Sequence, residues 1–258
     1  MIFLLLPVAG YLGLCLYAAL FTNGRVFPAP PSGYRDSPDI LKFRYNEAGD
    51  AVSMVYLPTP GSSYLVYYHH GNGEDLQSVL PRLKFLQQMG FSVLSWDYPG
   101  YGTSDGRSTE RRVQQIAELI WEAIPSEFGF RPEQVILYGR SLGGGPAIRL
   151  AVRHQAAGLI LEGCFTSIFR VGIGASVLPW DVFNNQAEIR SIQCPVLVMH
   201  GADDPVVPFS HGLRLYQEAP EPKTFTWIGD GGHSDIIEKF PEVYYNSLTR
   251  FLELIANP

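Results

Sequence analysis

The sequence predicts an α/β fold in which a mostly parallel central sheet carries helices on both faces and one hydrophobic helix precedes it. Two observations lead to this prediction. Short apolar runs alternate with helical patterns over residues 39–258, and such alternation is typical of βαβ units. Residues 1–21 contain no charged side chain, whereas 17% of the whole chain is charged. We therefore divide the chain into a hydrophobic segment, a linker over residues 22–38 and one α/β domain.

Residues 1–21 are predicted to form an uncleaved transmembrane anchor. A helix of this length would rise about 31 Å, enough to cross the hydrocarbon core of a bilayer. A cleaved secretory signal is the alternative, but no basic residue starts the segment and Ala18-Ala19 is a poor cleavage site. Basic residues follow the span, which favours a single-pass membrane protein with a cytoplasmic domain. Residues 22–38 contain four prolines and are expected to form an extended linker.

Composition argues against several classes of partner. The chain has 19 Lys and Arg against 25 Asp and Glu, a net charge of −6, and lacks any basic run of the kind that binds nucleic acid. Its cysteines, Cys15, Cys164 and Cys194, are not spaced as a zinc site or a disulfide framework. Cys164 and Cys194 are expected to be buried thiols, with a disulfide between them as the alternative. We expect no metal and no cofactor.

The elements of the domain follow from the apolar periodicity. Strands are predicted at 40–45, 51–57, 64–70, 91–98, 134–139, 158–163, 195–201 and 223–229. Helices are predicted at 75–90, at 108–124 beginning with Ser108, at 142–154 and at 234–256. Roughly 30 residues separate the sixth and seventh strands, which is enough for a short lid of one or two small helices. The lid is strongly apolar, with Ile168, Phe169, Val171, Ile173, Val177, Leu178, Trp180 and Phe183.

A glycine-rich turn joins the fifth strand to the helix that follows it. Gly139-Arg140-Ser141-Leu142-Gly143 fits the pattern G-x-S-x-G, in which a serine stands on a sharp strand–turn–helix connection. Glycines on both sides let the strand pass directly into the helix, and the helix amino end favours developing negative charge. The alternative is an ordinary glycine-rich turn. We interpret Ser141 as a candidate nucleophile.

A nucleophilic serine needs a base and an acid that orients the base. Of six histidines, His233 fits best, because it lies in a glycine-flanked loop after the last strand. The remaining histidines are His69, His70, His154, His200 and His211. Asp203 and Asp204, after the seventh strand, both qualify as the acid, and Glu162 is an outside candidate.

The negative oxygen formed during acyl transfer requires two N–H donors. The backbone of Leu142, directly after the serine, is the first candidate. The second should come from the loop after the third strand, which reads HHGNGED over residues 69–75 and contains Asn72 between two glycines. A plain Gly-Asn-Gly turn is the alternative at this position.

Five blocks of sequence together resemble the α/β-hydrolase superfamily: YYHHGNGED, WDYPGYGTSDGRSTE, LYGRSLGGGPAI, CPVLVMHGADDPVVPFSHG and GDGGHSD. Within it, the chain is similar to serine-aminopeptidase-like hydrolases and to membrane-anchored α/β-hydrolase-domain proteins, a group that includes acyl-protein depalmitoylases. The resemblance implies the α/β-hydrolase fold, selects Asp204 over Asp203 through the pattern H-G-x-x-D-x-x-V-P, and assigns the second oxyanion donor to Asn72. Pro99 departs from relatives, which often carry arginine there, and so removes a charge near the mouth of the site that the resemblance implies.

The sequence therefore predicts a membrane-anchored serine hydrolase with a Ser141–Asp204–His233 triad and backbone oxyanion donors at Asn72 and Leu142. An apolar lid over the serine favours a small-molecule or lipid-like acyl substrate, cleaved at an ester or thioester bond. The alternative is that the apolar side chains of the lid only pack it onto the sheet. An aminopeptidase or amidase of the same fold is the alternative, and a non-catalytic binding protein of this fold is a further one.

Overall fold

The computed structural model describes residues 2–174 and 178–256. In these residues eight strands form one sheet in the order β1-β2-β4-β3-β5-β6-β7-β8. The strands are β1 (Leu41–Arg44), β2 (Ala51–Leu57), β3 (Leu65–His69), β4 (Ser92–Trp96), β5 (Val135–Arg140), β6 (Gly158–Glu162), β7 (Val196–Gly201) and β8 (Lys223–Ile228). Strand β2 pairs antiparallel with β1 and β4, and the pairs from β4 through β8 are parallel. The predicted mostly parallel sheet is confirmed.

Helices cover both faces of the sheet, as predicted. They are α1 (Ile2–Val26), α2 (Leu76–Gln88), α3 (Glu110–Phe128), α4 (Gly144–Arg153), α5 (Ile168–Ile173), α6 (Asn185–Glu188), α7 (Phe209–Glu218), α8 (Ile236–Lys239) and α9 (Pro241–Ala256). Apolar residues of α3, α4 and α7 form one buried cluster with the sheet, and those of α2, α8 and α9 form a second. Burial of these two clusters is the main stabilising contribution to the fold.

Helix α3 begins two residues later than Ser108. Thr109 is its N-cap and accepts a hydrogen bond from the Arg112 N–H at 3.2 Å, so the first helical residue is Glu110. Ser108 instead donates its hydroxyl to the Pro99 carbonyl at 2.8 Å. Both residues have a capping side chain, and only the tertiary contact with Pro99 decides which of them caps the helix.

Helix α1 ends at Val26, within the predicted linker. Val26 and Phe27 are both buried in the cluster that α3 and α4 share. Farther along, the Gly33 N–H donates to Asp75 Oδ2 at 2.7 Å, and the Tyr34 hydroxyl donates to Asp97 Oδ2 at 2.5 Å. The proline-rich segment therefore lies against the domain over several residues instead of extending freely from it.

A membrane span is not found in the part of the chain that the structure describes, where no helix combines the length and apolar character that crossing a bilayer requires. The anchor proposed for residues 1–21 thus stays a prediction.

Two short helices, α5 and α6, occupy the lid between β6 and β7, and both are as short as the sequence predicts. Val177, one of the apolar residues of this segment, lies outside the described residues. Cys164 and Cys194, at its two ends, are buried free thiols and do not form the alternative disulfide. Because the helices are short, no separate cap domain stands over the sheet edge in the described residues.

Candidate active site

Ser141 stands at the carboxyl end of β5 on a strained turn. Its φ is 50°, a left-handed conformation that L side chains rarely adopt, and a 3-10 turn over Ser141–Gly143 leads directly into α4. A Cβ on Gly139 would lie 2.6 Å from the Cα of Gly144, so strand and helix approach too closely for any side chain there. The glycines thus permit the sharp turn, as the sequence pattern predicts.

His233 and Asp204 complete a hydrogen-bonded chain with this serine. His233 Nε2 lies 3.0 Å from Ser141 Oγ, and His233 Nδ1 lies 2.6 Å from Asp204 Oδ2. The aspartate can only accept, so Nδ1 carries the proton and Nε2 is free to accept the serine proton. This order of partners is the geometry of a nucleophile, a base and an orienting acid.

Asp204 is held in its ionised form. Its other oxygen, Oδ1, accepts the N–H groups of Val206 and Val207, each at 2.8 Å. Burial favours the neutral acid, but the bonds from His233 and from these two N–H groups lower the pKa of the Asp204 carboxyl. Asp203 is exposed to solvent and its side chain does not join this chain. Between the two aspartates that spacing left open, only Asp204 lies beside His233.

Glu162, the outside candidate for the acid, lies elsewhere. It is fully buried, and its side chain accepts hydrogen bonds from Arg82 Nη1 at 2.6 Å and from the Tyr138 hydroxyl. That hydroxyl in turn lies 2.6 Å from the hydroxyl of Tyr244 in α9. Glu162 therefore belongs to a polar network beneath the sheet edge and does not contact His233.

Close approach of three loops brings His233 to the serine. A Cβ on Gly163, whose φ is 59°, would lie 3.2 Å from the His233 ring, and a Cβ on Gly201 would lie 2.1 Å from the Gly231 carbonyl oxygen. Loops after β6, β7 and β8 therefore meet at glycine positions. A larger residue at Gly201 would push the histidine loop away from the acid loop.

The loop after β3 lies against the serine turn, as the prediction of a second oxyanion donor requires. A Cβ on Gly143 would lie 2.0 Å from the carbonyl oxygen of His69, the last residue of β3. In that loop the Gly71 N–H already donates to Glu74 Oε2 at 2.6 Å, and the Asn72 carbonyl accepts from the Tyr101 hydroxyl at 2.9 Å. Leu142 is buried in the turn itself. The loop backbone around Asn72 is thus fixed next to the serine turn.

Two adjacent histidines at the end of β3 have opposite charge preferences. Burial lowers the pKa of His69 to about 3, and its Nδ1 accepts the Trp96 indole N–H at 3.1 Å, so the ring is neutral. In His70, Nδ1 donates to the Gly71 carbonyl at 2.7 Å, and Nε2 lies 3.3 Å from Asp97 Oδ1. Burial opposes a charge on His70, but the Asp97 carboxylate raises its pKa.

The other three histidines stabilise local structure. His200 Nε2 bonds the Val207 carbonyl at 2.9 Å and so supports the loop that carries Asp204. His211 and His154, which the helical pattern would leave on the surface, are half-buried and bond Thr166 and Glu118, respectively. The contacts of His211 and His154 join segments far apart in sequence, which explains why sequence periodicity does not predict them.

Arg140 and Glu74 are the residues near the serine that sequence reasoning missed. The Arg140 guanidinium is buried and pairs with Glu74 Oε1 at 2.7 Å, although both residues are of types that usually lie on the surface. The available signal was a charged residue inside G-x-S-x-G, directly after an apolar strand. As to metals, no group of His, Cys, Asp and Glu able to hold one occurs within the described residues.

A mostly parallel α/β sheet with a serine on a strained turn after a middle strand defines the class of α/β hydrolases. Comparison with known proteins agrees with this class. Residues 62–179 match the family described as serine aminopeptidase, S33. Alpha/beta hydrolase domain-containing protein 17B of Homo sapiens is 32% identical over 225 residues, which cover 86% of this chain and 76% of the human protein. The chain therefore belongs to the family of alpha/beta hydrolase domain-containing proteins 17, and it is a hydrolase.

A second relative and two solved structures extend the comparison. Alpha/beta hydrolase domain-containing protein aho-3 of Caenorhabditis elegans is 34% identical over 213 residues, covering 80% of this chain and 62% of that protein. An esterase from Pyrococcus furiosus superposes with a TM-score of 0.70 at 18% identity, covering 87% of this chain and 98% of the esterase. An esterase from Exiguobacterium antarcticum gives 0.62 at 19% identity, covering 80% and 97%. At these identities the two structures show a shared fold.

Proposed function

We propose that this hydrolase is a serine enzyme that cleaves ester or thioester bonds of acyl substrates through Ser141, His233 and Asp204. The observation that carries the proposal is the hydrogen-bonded chain from Ser141 Oγ through His233 to Asp204. An exposed hydroxyl of ordinary reactivity would have no reason to occupy a strained backbone position next to an oriented imidazole. A binding protein without catalysis would need none of these contacts.

The proposed hydrolysis proceeds in two steps, acylation of the serine and hydrolysis of the acyl-serine. Ser141 Oγ attacks the acyl carbon while His233 Nε2 takes its proton, and the N–H groups of Leu142 and Asn72 bind the negative oxygen. The imidazolium, stabilised by Asp204, then gives that proton to the departing alkoxide or thiolate, which leaves an acyl-serine. In the second step His233 takes a proton from water, the hydroxide attacks the acyl carbon, and the proton returns to Ser141 Oγ as the carboxylic acid leaves.

An acyl substrate is supported by the apolar residues that surround this edge of the sheet. Phe169 and Phe183 of the lid share one buried cluster with Leu142 of the serine turn and with Phe27. Apolar side chains of this kind would contact an acyl chain favourably. An aminopeptidase activity is the second candidate, favoured by the family description that residues 62–179 match.

We further propose that α1 holds the protein at a membrane, with the domain on the cytoplasmic side. Leu12, Leu16 and Leu20 recur every four residues along α1, and each is more than 60% exposed. Exposed leucines in a row require an apolar partner such as a lipid surface. In a vesicle flotation experiment the full chain should float with the lipid. A chain starting at residue 25, which keeps the buried Val26 and Phe27, should not. Equal flotation of both would contradict the anchor.

Fluorophosphonate labelling of the full chain in detergent tests the catalytic proposal. Wild-type protein should be labelled, and Ser141→Ala should lose labelling and lose about 10³-fold or more in kcat. Ser126→Ala, which changes an exposed serine of α3, is the matched control and should label like wild type. Labelling of Ser141→Ala at the wild-type rate would refute the assignment. A panel of acyl esters, acyl thioesters and aminoacyl amides then decides between the two candidate activities.

A further inference from the structure

Arg140, next to the serine, makes three close contacts with two separate segments of the site. Its side chain is only 3% exposed. The guanidinium pairs with Glu74 Oε1 at 2.7 Å, donates from Nη2 to the Ser234 hydroxyl at 2.7 Å, and donates from the same nitrogen to the His233 carbonyl at 2.9 Å. A buried cation requires partners of this kind. Burial alone, however, does not explain why the partners of Arg140 come from the two loops that flank the serine.

Glu74 extends these contacts into the loop after β3. While Oε1 binds Arg140, Oε2 accepts the Gly71 N–H at 2.6 Å. Burial favours the neutral acid, but Arg140 and the Gly71 N–H together lower the pKa of Glu74 and keep it ionised. One carboxylate therefore connects the guanidinium to the backbone directly before Asn72.

We propose that Arg140 and Glu74 are positioning residues. They hold two loops at fixed distances from Ser141: the loop after β3 that contains Asn72, here called the oxyanion loop, and the loop after β8 that carries His233, here called the His233 loop. The inference rests on the proposed serine mechanism and adds residues that do not themselves touch the reacting atoms. Because Arg140 belongs to the same turn as the serine, its contacts fix both loops relative to the nucleophile rather than to the rest of the domain. Catalysis depends strongly on such distances, since a displacement of about 1 Å can cost about 100-fold in rate.

The chemistry of arginine explains why this residue type is used. Its planar guanidinium presents several N–H donors at fixed angles, so one side chain can bind the two loops at once. The fourth contact, between Arg140 Nε and Glu162 Oε1, is longer, at 3.6 Å. A lysine could place its ammonium near only part of this set. Arg140→Lys should therefore behave as a partial replacement.

A purely structural role for the buried charges is the competing explanation, and Arg82 provides a matched control. Arg82 is also largely buried, and its Nη1 donates to Glu162 Oε1 at 2.6 Å, at the opposite end of the same network. Beyond Glu162, Arg82 interacts with tyrosines that include Tyr138 and Tyr244 rather than with the serine turn. Arg82→Met thus removes a buried cation without removing a contact to either loop.

The test measures kcat, KM and the rate of fluorophosphonate labelling for the full chain, four single variants and one double variant in detergent, with a p-nitrophenyl ester as substrate. Arg140→Met should lower kcat about 10- to 100-fold while KM stays within about threefold, because the apolar side chains of the lid are unchanged. Glu74→Gln should lower kcat about 10-fold, and adding it to Arg140→Met should have little further effect, since residues that act as a unit are not additive. Arg140→Lys should lie between wild type and Arg140→Met, and Arg82→Met should lose thermal stability with kcat within about twofold of wild type.

Two results would overturn the inference. One is a loss of thermal stability in Arg140→Met with wild-type kcat and labelling. The other is an equal fall of kcat in Arg82→Met and Arg140→Met. If Arg140→Met does not fold, Arg140→Lys and Glu74→Gln decide by the same criteria. A wild-type chain that neither labels nor hydrolyses any substrate of the panel refutes the serine mechanism itself, and that outcome is distinct because it precedes any comparison of variants.

Discussion

Two neighbouring regions of this hydrolase are built on different principles. The first, here called the polar edge, comprises the strand ends and loops that carry Ser141, Asp204 and His233, where hydrogen bonds of 2.6 and 3.0 Å link the side chains. The second, the apolar cover, comprises the end of α1 with Phe27, and residues 164–174 and 178–194. In the cover, Phe27 packs edge-on against Phe183 and Tyr98 with ring centroids 6.1 and 6.4 Å apart.

The difference lies in how narrowly each region is specified. A hydrogen bond weakens steeply with distance and angle, so each group of the polar edge has one acceptable position. Apolar packing depends mainly on volume and tolerates exchange among residues of similar size. Changes in the polar edge should therefore abolish chemistry, whereas changes in the apolar cover should mostly alter which substrate is accepted.

The largest effect is expected from Asp204→Asn. An asparagine amide would present the wrong hydrogen-bonding group to His233 and favour the wrong tautomer, which lowers kcat by about 10³- to 10⁴-fold in enzymes of this mechanism. Asp203→Asn changes an exposed neighbour and should leave kcat within about twofold of wild type, since exposed polar substitutions have small effects. Steady-state kinetics on both variants checks this, and a slower Asp203→Asn enzyme would show that the acid is misassigned.

The same glycine-to-alanine change should have opposite results in the two regions. Gly143→Ala places a Cβ 2.0 Å from the His69 carbonyl, so the serine turn or β3 must move, at a cost of about 1–3 kcal/mol in stability. Gly172→Ala, in helix α5 of the cover, meets nothing within 4 Å and should be neutral or stabilising by about 0.5–1 kcal/mol.

Thermal unfolding and kcat of both alanine variants should be measured together. We expect Gly143→Ala to lose activity along with stability, because the clash lies between the serine turn and the oxyanion loop. A stable and fully active Gly143→Ala protein would mean that the polar edge is less tightly specified than its contacts indicate.

Acid should destabilise the polar edge through His69. Its folded-state pKa of about 3 lies below the unfolded value of 6.5, so the unfolded chain binds the proton first as the pH falls. Stability from this group is complete above pH 6.5 and decreases progressively toward pH 3, by about 2 kcal/mol at pH 5. Urea unfolding at pH 7 and pH 5 should show this loss of stability in wild type. In His69→Gln the stability lost between the two pH values should be smaller by about 2 kcal/mol. An equal loss in both proteins would exclude His69 as its source.

The smallest effect on catalysis is expected from Phe27→Ala in the apolar cover. Removing the ring leaves space beside Phe183, so the preference among p-nitrophenyl esters should shift by a few chain carbons, with kcat/KM changing about three- to tenfold. Phe128→Ala removes a half-buried ring packed against Tyr56, in another part of the molecule, and should leave the preference unchanged. A change in kcat of all esters alike would place Phe27 with the polar edge instead.

Much of the sheet and the serine turn could be predicted from sequence because their signals are local. The strand predicted at 51–57 has the same bounds in the structure, and the strand at 158–163 differs by one residue. Likewise, the spacing of the glycines on either side of Ser141 is enough to predict the sharp turn. Short apolar runs and glycine positions are determined by neighbours in sequence, which is why pattern reasoning succeeds there.

The remaining features depend on contacts between distant segments. Spacing alone left Asp203 and Asp204 equivalent, since only the folded loop decides which side chain faces His233. The tertiary fold brings Arg140 into contact with Glu74 and with the His233 loop, and no sequence periodicity predicts these contacts. Phe27 stands in a proline-rich stretch that predicts an extended linker, yet it is buried because Tyr98 and Phe183 offer it an apolar site.

The left-handed backbone of Ser141 has a consequence for how this chain changes over generations. A non-glycine residue in that conformation costs about 1–2 kcal/mol, a sizeable fraction of the 5–15 kcal/mol by which domains are stable. Under the proposed serine mechanism, the need for a nucleophile retains the serine there, although glycine at the same position would relieve the strain. A lineage that no longer needed the reaction would gain stability from its first Ser141→Gly mutation. Under the same mechanism, a serine kept at this strained position in a descendant sequence would indicate continued selection on activity.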